Sequence, residues 1–402
     1  MNKVDQQEYR AWVKLALTPY VGAESFLTLL SHYGSAAAVW SAPAGEIRQL
    51  LGRYGKQAAA TWEGVDTRAN QAADAAIKWS QQDGCRLLLL CEHEFPEQLS
   101  EGITPPPLLF ARGDVALLQR PAVAIVGSRH ATPQALRIAR DFAQALSEQG
   151  ICVVSGMAAG IDAAAHEGAL KAGGSTVAFW GTGIDRIYPP ANRELAYRMA
   201  EQGLILSEFP LDTRPLAGNF PRRNRLIAAL SQAVLVVEAA LESGSLITAR
   251  LAADMGREVL AVPGSIDNPH AKGCHRLIKD GAKLVESLED ILQECPQLLQ
   301  KSPVSSYPIY RASLADAEQT ALQQAAAPAE CLSERLSPVA EANRQNKLLA
   351  AMGYEPVHPD WLAEQLQLPA VDIYKELLEH EMAGEVAAVA GGRYQRIKPP
   401  RA

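Results

Sequence analysis

The residues best suited to chemistry in this chain lie in one short segment, Asn219-Phe220-Pro221-Arg222-Arg223-Asn224-Arg225. It sets three guanidiniums and two side-chain amides around one aromatic ring. Planar guanidinium forks bind phosphate oxygens in pairs, and an exposed ring offers a face on which any base can stack. Arg214 and Arg129 extend the basic strip within an otherwise acidic chain. The plainer alternative is a solvated basic turn with Phe220 directed into the core. Position favours the ligand reading, because the segment lies at a strand end, at the mouth of a helix. Such a strip suits an unpaired polynucleotide, with Phe220 stacking and Arg129, Arg222, Arg223 and Arg225 on phosphates.

Four loops carry small residues that let a ligand approach backbone amides: Gly127-Ser128-Arg129, Ser155-Gly156-Met157-Ala158-Ala159-Gly160-Ile161-Asp162, Gly181-Thr182-Gly183 and Ser243-Gly244-Ser245. Each follows an apolar run and precedes or caps a helix, where free N–H groups and the helix dipole favour an anion. One such loop would be ordinary α/β composition; four after successive strands read as a phosphate cradle. The candidate DNA-binding set is Gly127, Ser128, Arg129, Gly156, Gly160, Phe220, Arg222, Arg223, Asn224, Arg225, Ser243, Gly244, Ser245 and Thr248.

Catalytic readings fare worse. Asp162 and His166 stand four apart and could form an acid/base pair, yet a capping Asp and a structural His fit better, because no activated nucleophile or metal cluster is near them in sequence. Ser243 to Thr248 lack the G-x-S-x-G elbow of a nucleophilic serine. No G-x-G-x-x-G follows the first strand, and no G-x-x-x-x-G-K-[ST] occurs, so neither a dinucleotide nor ATP hydrolysis is indicated, and no cofactor is expected.

The elements that position these residues follow from periodicity. Ala122 to Val126 is a short apolar run of the kind buried on both faces of a sheet, and Pro133 opens an amphipathic helix. Further strands are expected at 151–155, 176–180, 204–207, 233–238, 259–262 and 283–285, with helices at 133–149, 162–172, 192–202, 226–231 and 246–256 between them. That alternation predicts an extended Rossmann-like, doubly wound parallel sheet, whose ligands sit beyond the carboxyl ends of the strands. Residues 1–95 read as a helical module. Its Pro19-Tyr20-Val21-Gly22 turn is similar to a helix-hairpin-helix but more simply joins two core helices, and it receives no site residues. A strand is expected at 86–91, then the rigid Thr104-Pro105-Pro106-Pro107 enters the next domain, 96–295. Residues 296–345 read as a flexible linker, and 346–398 as three helices and a hairpin, a winged helix.

With 402 residues the chain is long enough for two or three cores. Its six cysteines are scattered without a C-x-x-C pair, and it has neither a signal-like start nor a membrane-length apolar run, so a reduced, cytoplasmic protein without membrane insertion is expected. A net charge of -7 argues against a surface that coats nucleic acid everywhere, but not against a local groove.

The motifs resemble the DNA-processing protein A family (DprA, also called Smf). The likeness runs densely from about 96 to 292: Phe95-Pro96, Gly127-Ser128-Arg129, Ser155-Gly156 to His166, Tyr188-Pro189 with Asn192, Ser207-Glu208-Phe209-Pro210, Asn219 to Arg225, Ser243 to Ala249, and Val262-Pro263-Gly264 to Ala282. The resemblance implies a homodimer that binds single-stranded DNA, protects it and loads the RecA recombinase during natural transformation, without enzymatic activity. It places Arg129, Phe220, Arg222, Arg223 and Arg225 in the DNA groove. The competing reading is a nucleotide phosphoribohydrolase of the lysine-decarboxylase-like class, whose Pro-Gly-Gly-x-Gly-Thr loop has no counterpart here beyond Pro263-Gly264-Ser265. Two departures from the family stand out: Ala159 replaces a frequent arginine, and Tyr20 interrupts the usual Pro-Gly-Val-Gly. In the winged helix, Asp372, Glu376, Glu379 and Glu381 face a lone Lys375, which predicts a protein contact or a bystander there rather than DNA reading.

Overall fold

The computed structural model describes residues 6–52 and 67–299 together with scattered positions at 55, 58, 62 and between 348 and 396. The chain divides into two units, Met1–Gln324 and Ala325–Ala402.

The first unit opens with helices α1 (Gln6–Ala16), α2 (Ala23–Tyr33), α3 (Ala36–Ser41), α4 (Ala44–Leu50) and α5 (Thr67–Ser80). The Pro19 to Gly22 turn joins α1 to α2, whose Trp12 and Phe26 rings meet at 4.9 Å. The Glu8 carboxylate accepts from the Ala36 and Ala37 amides at 2.6 and 2.9 Å, satisfying two orphan donors at the start of α3.

Beyond them lies one sheet. Its strands are β1 (Cys85–Leu89), β2 (Leu108–Gly113), β3 (Ala122–Val126), β4 (Cys152–Ser155), β5 (Thr176–Phe179), β6 (Leu204–Ser207), β7 (Ala233–Val236), β8 (Glu258–Ala261) and β9 (Lys283–Leu284). The spatial order is β1-β2-β6-β5-β4-β3-β7-β8-β9. Strands β3 to β9 pair in parallel, while β2 runs antiparallel to both β1 and β6. Strand β1, within the expected 1–95 helical module, is therefore an edge of the main sheet.

Alternation along the strands feeds two apolar layers. Ala122, Ala124, Val126, Val154, Val177, Phe179, Leu204 and Leu206 face one layer with Leu226 to Leu230 and Ala249. Val123, Ile125, Val153, Leu235 and Leu260 face the other with Phe142, Leu146, Ile161 and Ala165. That second face continues over β1 and β2, where Leu87, Leu89, Leu108 and Phe110 pack with Trp12, Phe26 and Trp79 of the N-terminal helices. The Trp12 indole N–H donates to the Pro107 carbonyl at 2.8 Å, fixing those helices to the sheet.

Helices α6 (Pro133–Glu148), α7 (Ile161–Lys171), α8 (Arg193–Gln202), α9 (Asn219–Leu230), α10 (Gly244–Asp254) and α11 (Lys272–Lys279) connect the strands, and α12 (Leu288–Glu294) follows β9. The main departure from the sequence expectation is α9, which begins seven residues before the 226–231 helix. Pro221 stands in its first turn, where a missing N–H forfeits no helical bond, so Asn-Phe-Pro-Arg-Arg-Asn-Arg is helix rather than the turn ahead of one.

In the second unit, strands β10 (Val386–Val389) and β11 (Arg393–Arg396) form an antiparallel hairpin, and Leu348, Leu362, Ile373, Leu377 and Val386 form a small core. Asp372, Lys375, Glu376, Glu379 and Glu381 lie outside the described residues, as does nearly all of the 296–345 linker. Among the described residues, no helix is long and apolar enough to cross a membrane.

Candidate nucleic-acid interface

The carboxyl ends of β3, β4 and β5 converge with the first turn of α9 on a cavity of about 140 Å³. Arg129, Gly156, Ala158, Gly181, Tyr188, Phe220 and Arg223 are among the residues that line it.

Glycine is required at two positions of the 155–162 loop. At Gly160 the backbone has φ 81°, and an added Cβ would lie 2.2 Å from the Ser128 carbonyl oxygen. At Gly156 it would lie 2.3 Å from an Arg223 guanidinium nitrogen. The loops are stitched together: the Ser128 N–H donates to the Glu238 carbonyl at 2.7 Å, and the Ile161 N–H to the Ser128 carbonyl at 3.1 Å.

Arg223 differs most from the sequence expectation. Its side chain is buried, only 4% of the residue being exposed, and its guanidinium donates to the carbonyls of Gly156 and Phe179. Nε donates to the Asn224 side-chain oxygen at 3.1 Å, so Asn224 too is engaged. On the other side of the loop the Asp162 carboxylate accepts from the Gly156 and Ala158 amides at 3.1 and 3.3 Å. Gly156 is thus clamped at its N–H by a carboxylate and at its C=O by a guanidinium. Burial pushes the Asp162 pKa up, with Arg223 pulling it back, while burial lowers that of Arg223 to about 10, opposed by Asp162. Arg223 braces the loop from beneath through Nη1 and Nε, and it also lines the cavity.

The other predicted cations separate. Arg129 is exposed at the rim, with its guanidinium carbon 5.5 Å from the centroid of Phe220. Arg222 is exposed on α9 and lies 5.4 Å over the Phe209 ring, beyond β6. Arg225 turns away, into an ion pair with the Glu208 carboxylate and a 2.8 Å bond to the Thr104 carbonyl. Phe220 is half-buried rather than sealed in the core, and its ring rests on Gly181, where an added Cβ would lie 2.9 Å from Cδ1.

Ser243, Gly244, Ser245 and Thr248 are not among the residues lining the cavity. They follow β7, on the opposite side of β3 from β4 and β5. Ser243 caps α10 and shares a 2.6 Å hydroxyl contact with Ser245, while Ser245 and Thr248 are buried. Gly127 sits under Ile161, where a Cβ would come within 2.6 Å of its side chain. Of the four loops, three therefore meet and the fourth serves its own helix.

His166 is buried behind the cavity. Thr176 donates its single hydroxyl proton to the Val153 carbonyl at 2.8 Å, so its oxygen accepts from His166 Nδ1 at 2.7 Å. Nδ1 therefore carries a proton, and burial, reinforced by Arg223, depresses the pKa to about 3, which keeps the imidazole neutral. Neither it nor Asp162 is poised for acid/base work. No group of three or more metal-ligating side chains occurs among the described residues.

Tyr188 and Asn192 are contributors that residue-type reasoning did not place in the site. Tyr188 meets Phe220 at 5.7 Å between centroids, and the Asn192 amide ties its segment to the glycine loop through the Met157 and Ala158 carbonyls at 2.9 and 3.2 Å. The signal was a Tyr-Pro pair shortly after a strand-end glycine loop. Ala159 lines the cavity with a methyl group.

Residues 86–296 match the sequence profile of DNA recombination-mediator protein A, and residues 323–392 match the DprA winged helix domain. The chain belongs to the DNA recombination-mediator protein A family. It is 39% identical to Protein Smf of Escherichia coli K12 over 332 residues, which is 82% of each chain. It is 47% identical to the DNA processing protein DprA of Streptococcus pneumoniae R6 over 200 residues, 50% of this chain and 71% of that one. The crystal structure of DprA from S. pneumoniae superposes with a TM-score of 0.61 at 37% identity, covering 73% of this chain and 98% of that one.

Proposed function

We propose that this protein binds single-stranded DNA along the carboxyl edge of its sheet and acts as a non-enzymatic recombination mediator, protecting incoming strands and loading the RecA recombinase in natural transformation. Self-association into a homodimer, which gives one strand two such edges, is part of the same proposal. The observation that carries the DNA reading is the juxtaposition of an exposed Arg129 guanidinium with the Phe220 ring at the mouth of a glycine-lined cavity. A cation beside an aromatic face fits a phosphate beside an unstacked base, and only unpaired strands offer their base faces. The exposed Arg222 continues the cationic edge past β6. Membership of a family described as recombination mediators supports the assignment. The engaged states of Asp162 and His166 support binding rather than catalysis.

The test is fluorescence anisotropy of a labelled oligothymidine with the full chain and with the Arg129→Glu, Arg222→Glu double variant. The variant is expected to lose tight binding at moderate salt while keeping the wild-type unfolding midpoint, because both side chains are exposed. Unchanged affinity contradicts the proposal.

A further inference from the structure

We infer that Tyr188 is a base-stacking residue of this interface and that its outer face, more than that of Phe220, is the open platform for a base. The inference rests on the single-strand reading above and refines it. Phe220 is already occupied on several sides: by the Gly181 backbone, the Arg129 guanidinium at 5.5 Å and Tyr188 at 5.7 Å. Tyr188 is 41% exposed, with its plane tilted 40° from that of Phe220. It therefore adds free aromatic surface to a rim that otherwise offers one half-covered ring.

The segment carrying Tyr188 is braced as a rigid platform requires. Thr182 donates its hydroxyl to the Arg186 carbonyl at 2.7 Å, and the Gly183 N–H donates to the Thr213 carbonyl at 3.0 Å. Asn192 holds the far end against the glycine loop. A ring carried on a backbone fixed before binding needs little further ordering when a base settles on it. A purely structural tyrosine needs no such exposure, whereas one that takes a base needs this exposure and the neighbouring cation. The two rings also lie farther apart than the roughly 3.4 Å step between neighbouring bases in a regular strand. With the 40° tilt, bases on Tyr188 and at Phe220 cannot remain stacked on each other, so the strand is held splayed.

The experiment compares the affinity of the full chain for an oligothymidine and for an abasic strand of the same length, in Tyr188→Ala, Tyr188→Phe and Tyr188→Trp. Tyr188→Ala is expected to weaken oligothymidine binding about 10–100-fold, the size of a lost base–aromatic stack, with the loss confined to strands that carry bases. Phe and Trp at 188 are expected to restore binding. Equal losses on both strands would assign Tyr188 a structural role and overturn the inference, as would an alanine variant with undiminished oligothymidine affinity. A wild-type chain that binds neither strand would instead overturn the single-strand reading itself.

Discussion

Replacing Arg223 by methionine separates a structural cation from a DNA-contacting one. The substitution keeps most of the side-chain volume and removes the donors, leaving the Gly156 and Phe179 carbonyls and the Asp162 carboxylate without their cationic partner in a buried setting. Taking the charged donor from a buried carbonyl typically costs about 1.5–3 kcal/mol, so losing it from both carbonyls costs about 3–5 kcal/mol. For a unit of this size that lowers the unfolding midpoint by about 5–10 °C. The raised pKa of Asp162 lets its carboxyl take a proton, so the penalty should shrink as pH falls, and a second change, Asp162→Asn, should recover part of the lost stability. Thermal unfolding of the wild type, both single variants and the double variant gives the coupling. A wild-type midpoint for Arg223→Met, with loss only of DNA affinity, would refute the bracing role and return Arg223 to the phosphates.

Three further outcomes follow from the same geometry. Gly160→Ala combines a left-handed backbone with a Cβ 2.2 Å from a carbonyl oxygen, so it should destabilise by about 2–3 kcal/mol or more; an unchanged urea midpoint would show that the loop adapts freely. Gly181→Ala pushes on the Phe220 ring without straining a left-handed residue, and oligothymidine titrations should show weaker binding at nearly wild-type stability. His166 is held neutral with its pKa lowered to about 3, so the unfolded state binds the extra proton below about pH 6.5. Its contribution is therefore complete above that pH and falls by about 1.4 kcal/mol for each unit between there and pH 3. A His166→Gln variant should show a shallower acid limb in its unfolding midpoint against pH, and parallel curves would contradict the assignment.

The parallel sheet was legible because strands buried on both faces carry short apolar runs that no surface strand would tolerate, as in Ala-Val-Ala-Ile-Val at β3. The glycine loops were legible for the same reason, since each ends such a run. The partition of the site was not. Arg223 and the carbonyl of Gly156 that receives it are 67 residues apart, so a row of three arginines reads as one basic strip until the helix that carries them is rotated into place. Residues 222, 223 and 225 then point to Phe209, to the cavity floor and to Glu208. The separation of Ser243 to Thr248 from the cavity follows from β7 pairing on the far side of β3, and strand order leaves no mark on local periodicity. The helical reading of α9 was obscured by Pro221, whose tolerance in a first helical turn makes it a poor stop signal.

The central claim is that Arg129, Phe220 and their neighbours form a slot for unpaired strands, and affinity for single-stranded against duplex DNA across a salt series tests it most directly. The account predicts tighter binding of the single strand throughout, with log affinity falling against log salt at about 0.7 per phosphate contact and a shallower slope in Arg129→Ala. Equal affinity for duplex and single strand, or a slope that Arg129→Ala leaves unchanged, would contradict it.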